Sequence, residues 1–166
     1  MTFSLYFIRH GLAVERNDID PDRDRSLTDE GKTKTKQVAK RLHELGLRFQ
    51  ALHTSPLVRA RQTSEIFGKV FDLDPEIFPH LAPDQDFDLW LDFLLHWRKA
   101  NPEITALGIV GHEPELSNWA EMLVWGGTRD ALVLKKAGII GLSLPDSDSP
   151  IGESFLFLLV PPKLLV

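Results

Sequence analysis

Short apolar, β-favouring stretches alternate with amphipathic stretches of helical length, and that alternation predicts an α/β fold with a mainly parallel sheet covered on both faces. Two further observations support it. Three of the predicted strands run straight into the turns Arg9-His10-Gly11, Ser55-Pro56 and Gly111-His112, as strands of such sheets do when a helix or loop takes over. The chain, 166 residues of which 43% are apolar, also has the material for one globular domain, residues 1–166, burying roughly two-thirds of its unfolded surface.

Phe3 to Ile8 reads as the first strand, and the Gly11 that follows lets backbone approach a bound group closely. A polar loop runs on to Arg25. Thr28 then caps a helix whose apolar face is Val38, Leu42 and Leu45, with Gly46 as its stop and lysines on the other side. Phe49 to His53 gives a second strand. Ser55 is a good capping residue, and Pro56 fills the position a helix tolerates best, so a helix starts there and directs Leu57, Ala60, Ile66 and Phe67 to the core. Arg59 falls within its first turn or so, near free backbone N–H groups that favour an anion. Pro75 to Pro83 is rich in turn residues. The next helix, Phe87 to Ala100, buries Leu91, Leu94, Leu95 and an aromatic, and Asn101-Pro102 ends it. Thr105 to Val110 is a third strand, and Pro114 opens a helix holding Leu116, Trp119, Ala120 and Leu123. Ala137 to Leu144 and Phe155 to Val160 supply the last two strands around a loop rich in Asp, Ser and Pro.

Composition narrows the function classes. A formal charge of -5 disfavours a general nucleic-acid binder, which would gather Lys and Arg on one face. The absence of cysteine removes disulfides, thiolate catalysis and thiolate metal sites together, and the cytoplasm is the expected compartment. Arg9 interrupts the first apolar stretch, so neither a signal peptide nor a membrane span is expected. Acidic residues dominate Asp18 to Asp24 and Asp72 to Asp92, and Lys32, Lys34, Lys36, Lys40 and Arg41 form a basic stripe; all are read as solvated surface.

Outside the carboxyl ends of three parallel strands, residues distant in sequence meet, and here the expected meeting is Arg9, His10, Arg59 and His112. Those four suit phosphoryl chemistry. An arginine fork matches phosphoryl oxygens, and a neutral imidazole attacks phosphorus and holds the phosphoryl group covalently. His10 is the expected nucleophile, kept unprotonated with help from the charge of Arg9, and Arg9, Arg59 and His112 surround the transferring oxygens. His43, His53, His80 and His96 read as structural or exposed, and the four tryptophans as packing residues. No spacing of His, Asp and Glu matches a metal signature, and Gly126-Gly127 makes no nucleotide fingerprint, so no metal and no cofactor are expected. A binding module for phosphorylated peptides would need the arginines but not His10 between them, which favours an enzyme over a module or a scaffold.

The segment Leu5-Tyr6-Phe7-Ile8-Arg9-His10-Gly11 resembles the signature of the histidine phosphatase superfamily, the phosphoglycerate mutase-like fold. Arg25, Leu27-Thr28 and Gly31 follow at the family's distance, then Ser55-Pro56-Leu57-Val58-Arg59-Ala60-Arg61-Gln62-Thr63 and Val110-Gly111-His112-Glu113-Pro114. The short chain and the Gly-His-Glu-Pro form are similar to the SixA type of protein phosphohistidine phosphatase. That resemblance implies a three-layer α/β/α sandwich without metal or cofactor, with His10 as nucleophile and Arg9, Arg59 and His112 as the phosphate pocket. It also implies a phosphorylated protein as partner, such as a histidine-containing phosphotransfer domain in signal transduction. All the proposed groups come from one chain with an adequate core, so a monomer is expected, without nucleic-acid or membrane partners.

One feature departs from the family. Where the mutase and ester-phosphatase branches carry a glutamate as proton donor, this chain has Pro79-His80-Leu81. Candidate donors or rim residues are then His80, Asp84 and Glu113. Imidazole leaving from phosphohistidine demands less protonation than an alkoxide, so the gap favours a phosphohistidine substrate over small phosphate esters, phosphoserine or phosphothreonine. Specificity is expected from the Glu15 to Arg25 loop, the Pro79 to Asp88 segment and the Asp146 to Ile151 loop, with carboxylates around the mouth repelling free polyanionic metabolites.

Overall fold

β1 (Phe3–Arg9) organises the fold, and its alternating side chains show how. Phe3, Leu5 and Phe7 point to one face of the sheet, where they meet α3 (Phe87–Ala100) and α4 (Glu115–Trp125). Tyr6 and Ile8 point to the other, against α1 (Asp29–Glu44) and α2 (Val58–Phe71). Period-2 alternation on a strand buried on both sides thus builds the three-layer α/β/α sandwich. The structure is a computed structural model that describes residues 2–166.

The remaining strands are β2 (Ala51–Thr54), β3 (Glu76–Ile77), β4 (Ala106–Gly111), β5 (Ile139–Leu144) and β6 (Phe155–Val160), in the spatial order β3-β2-β4-β1-β5-β6. β3, β2, β4 and β1 are mutually parallel, whereas β5 lies antiparallel to β1 and β6 antiparallel to β5. The register sets Arg9 opposite Gly111, so β1 and β4 end side by side, and Ser55 N–H donates to Val110 O at 3.1 Å to bring β2's end to the same edge.

Local chemistry explains most boundaries. Thr28 Oγ1 accepts from Gly31 N–H at 2.9 Å, the expected cap of α1, and Gly46, with φ 95°, turns the chain after it. Trp90 and Trp119 stack in the α3–α4 layer with centroids 4.6 Å apart, as packing residues should.

Several expectations are corrected. Leu45 lies beyond the last turn of α1 and is 60% exposed, and Ile66 is only half-buried. Phe49 precedes β2 and packs in the core instead of pairing in the sheet. Ser55 is not the N-cap of α2: that position is Leu57, and the helix begins at Val58. Four short elements went unpredicted, the two-residue β3 (Glu76–Ile77) and the 3-10 turns Asp22–Asp24, Pro79–Leu81 and Pro162–Leu164, all too short to carry a periodic signal. Among the described residues no helix is long and apolar enough to cross a membrane.

Candidate active site

The strand ends bring His10, Arg59 and His112 together, all buried, with Arg9 half-buried beside them. His10 Nδ1–H donates to Gly11 O at 2.8 Å, and Nε2 accepts from the Nε–H of Arg59 at 3.3 Å. A guanidinium only donates, so both contacts select one tautomer, with the lone pair on Nε2. Burial is the chief cause that pushes His10 down to about 3; the Gly11 carbonyl works the other way, and the charges of Arg59, Arg9 and Lys136 add to burial. The imidazole is therefore neutral and nucleophilic across the physiological range. Arg9 contributes as expected from sequence, but behind burial and Arg59.

Two close approaches explain the glycines of the motif. A Cβ on Gly11 would lie 2.4 Å from Thr35 Oγ1, and one on Gly31 would lie 2.1 Å from Leu12 O, so the turn after β1 can pack on α1 only with glycine at both positions. Thr63, on α2, ties this turn to the helix that carries Arg59. Its hydroxyl accepts from Gly11 N–H at 3.0 Å and donates to Arg59 O at 2.8 Å.

His112 Nε2 is 2.7 Å from Ser55 Oγ, and its ring centroid is 5.2 Å from that of His10. Burial, then its neighbours His10 and Arg59, lower it to about 3, so it too is neutral. Ser55 is thereby drawn to the site, while also accepting from Leu57 N–H at 3.2 Å.

Asp22 was missed by sequence reasoning. It sits in the 3-10 turn Asp22–Asp24, where Arg59 Nη1 donates to its backbone O at 3.0 Å and Nη2 to Oδ2 at 3.2 Å, and Arg25 Nε contacts Oδ1 at 2.8 Å. Arg16 adds a further pairing at 3.1 Å. The fork of Arg59 thus has an internal anionic partner, and only its acidic surroundings in sequence hinted at one.

The three candidate donors fall differently. Glu113 accepts from Ser117 N–H at 2.8 Å and from its hydroxyl, bonding to the first turn of α4, and its charge acts on Arg9. His80 stacks on Phe93 at 4.9 Å and makes no hydrogen bond to the four site residues. Asp84 is exposed at φ 63°, beside Glu115. Glu115 itself, in the first turn of α4, is the carboxyl that sequence reasoning passed over: burial raises its pKa, the Asp84 backbone opposes, and the charges of Asp84 and Glu113 add to the rise.

The surroundings also differ from expectation. β5 runs antiparallel to β1, with Phe3 opposite Leu144, so the 146–151 loop emerges at the far end of the sheet from the site. The turn before β5 takes its place: Arg9 Nη1 donates to Leu134 O at 3.1 Å, and Ala137 N–H to Arg9 O at 3.0 Å. That turn brings Lys135 and Lys136 to the mouth, where carboxylates were expected. Among the described residues no group of three or more His, Cys, Asp or Glu is placed to hold a metal ion.

Fold and site set an arginine-flanked neutral histidine at the carboxyl ends of parallel strands in an α/β domain. The chain belongs to the histidine phosphatase superfamily (branch 1), whose family model matches residues 5–91, and it is therefore a phosphatase by family. It is 46% identical over 164 residues to an uncharacterized protein of Picosynechococcus sp., covering 98% of each chain. It is 39% identical over 70 residues to the mitochondrial serine/threonine-protein phosphatase Pgam5 of Drosophila mojavensis, covering 42% of this chain and 24% of that protein. In structure it is similar to the protein histidine phosphatase SixA complexed with tungstate, with a TM-score of 0.84 at 23% identity over 99% of this chain and 100% of that one; this likeness concerns the fold.

Proposed function

We propose that the protein hydrolyses phosphohistidine on proteins through a covalent intermediate on His10. The observation that carries this reading is the single tautomer of His10, whose Nε2 lone pair faces Arg59 while Nδ1–H is held by Gly11 O. Nε2 attacks phosphorus and the P–N bond to the substrate imidazole breaks, with the leaving nitrogen taking up a proton. Water then attacks the phosphoryl group on Nε2, releasing inorganic phosphate and restoring neutral His10. Arg59 and Arg9 offset the charge on the phosphoryl oxygens, and His112 hydrogen-bonds to one of them.

The leaving imidazole needs little acid assistance, which suits a site whose four principal residues include no carboxyl group. The likeness of the fold to a protein histidine phosphatase supports the same substrate. The second reading is a phosphomonoesterase for small esters, phosphoserine or phosphothreonine, favoured by the likeness of 70 residues to the serine/threonine-protein phosphatase Pgam5. The test compares kcat/KM for a phosphohistidine-bearing protein, free phosphohistidine and a panel of phosphomonoesters at one pH and ionic strength. Phosphohistidine is expected to lead. An ester turned over about 10²-fold more efficiently, an advantage of about 2.7 kcal/mol, replaces this reading with the second. Saturable binding without turnover of any substrate indicates a phosphoprotein-binding module.

A further inference from the structure

Beside the phosphoryl pocket lies a groove of about 760 Å³, with Arg9 in the wall the two share. Its rim carries Lys34, Lys135, Lys136 and Lys163 against the single carboxylate of Glu30. None of these four lysines has a carboxylate within 4 Å among the described residues. In a chain of formal charge -5, this gathering of unpaired cations runs against the overall balance. The floor is apolar: Leu12, Ala137, Pro161 and Pro162 line it, and Val133 and Leu159 leave 62% and 38% of their surface open.

The cationic wall is built rather than floppy. Buried Glu121 accepts from the backbone N–H of Ala131 at 3.0 Å and Leu132 at 3.2 Å, and Gly138 N–H donates to Lys135 O at 2.7 Å, so the turn presenting Lys135 and Lys136 is tied at both ends. Lys136 also acts electrostatically on His10, which places the groove within charge range of the nucleophile.

Resting on the phosphoprotein reading above, we propose that this groove docks an acidic, partly apolar segment of the protein substrate, next to the phosphohistidine presented to His10. Its carboxylates pair with Lys34, Lys135 and Lys163, and its apolar side chains cover Val133 and Leu159. A short acidic segment fits better than a long polyanion. Asp22 of the acidic 18–24 loop pairs with Arg59 and does not line the groove, so it leaves the lysines to the segment's carboxylates.

The test uses the triple variant Lys34→Gln/Lys135→Gln/Lys163→Gln, with its thermal unfolding checked against the parent. Steady-state kinetics are measured on a histidine-phosphorylated helical domain with carboxylates flanking its histidine, and on free phosphohistidine. KM for the domain should rise about tenfold with kcat within about twofold, while both constants for free phosphohistidine stay unchanged. Equal effects on both substrates, or none on the domain, overturn the proposal, as does a KM rise confined to small anionic esters, which would make the groove a metabolite site. Titration of the unphosphorylated domain reads docking without turnover and should be about tenfold weaker for the variant. If the parent binds that domain in this way yet turns over neither substrate, the phosphatase reading fails and the docking surface stands; undiminished binding by the variant sinks the docking surface.

Discussion

Acid should unfold this protein earlier than its carboxylates alone would require, because the fold buries three neutral histidines. His10, His53 and His112 are 6%, 1% and 3% exposed, and burial is the leading cause that lowers each to about 3. In the unfolded chain they return to about 6.5. Each therefore contributes stability that is fully present above pH ~6.5 and is lost as pH falls toward 3, since the unfolded chain takes up the proton first. Between pH 7.5 and 5.0 the loss is about 2 kcal/mol per histidine, or about 6 kcal/mol for three, against a total of ~5–15 kcal/mol typical of a domain. Glu115, raised by burial, works in the opposite direction. His53 isolates the effect, for it lies away from the reacting groups, packed on Phe78 at 4.5 Å and Trp97 at 4.6 Å with Nε2 buried and unpartnered. Urea unfolding followed by tryptophan fluorescence at pH 7.5 and 5.0 should show a loss of about 6 kcal/mol for the parent and about 4 kcal/mol for His53→Leu. A parent that loses less than about 1 kcal/mol, or a variant that loses as much as the parent, would refute the reasoning.

Other perturbations follow from the same geometry. Arg59→Ala should lower kcat by about 10²–10³-fold while the protein still folds, because Asp22 keeps Arg25 and Arg16 as partners; near-parental kcat in a stopped assay would contradict its placement. Thr63→Val conserves shape but leaves Gly11 N–H without its partner and cuts the tie between that turn and the helix carrying Arg59, so denaturant titration should show a loss of about 1–3 kcal/mol and turnover should fall with it. Activity should survive prolonged dialysis against a chelator, and a loss restored by one divalent metal would bring metal chemistry back into consideration.

The elements that frame the site were legible because their signals are local. Phe3 to Ile8 alternates between two buried faces, Thr28 caps where a capping residue was expected, and the three turns after β1, β2 and β4 meet at one sheet edge. What escaped depended on direction or on long-range pairing. An apolar strand such as Ile139–Leu144 does not announce which way it runs, so the 146–151 loop was expected at the site although the antiparallel pairing carries it to the other end. The same reversal brings in Lys135 and Lys136, to which the sequence pattern assigned no place at the site. Ser55 looked like a helix cap because Ser-Pro is a strong local cue, but its hydroxyl serves His112 as well. Asp22 lay in a run that reads as solvated surface, and only the fold sets it on Arg59.

The central claim is that His10 Nε2 carries the phosphoryl group. Rapid mixing with a ³²P-phosphohistidine protein, quenching within milliseconds and mapping of the labelled peptide tests it directly. The account predicts acid-labile, base-stable label on the peptide containing His10, formed and lost at rates that match turnover, and neither label nor turnover in His10→Ala. Label on another residue, or full turnover by His10→Ala, would contradict it.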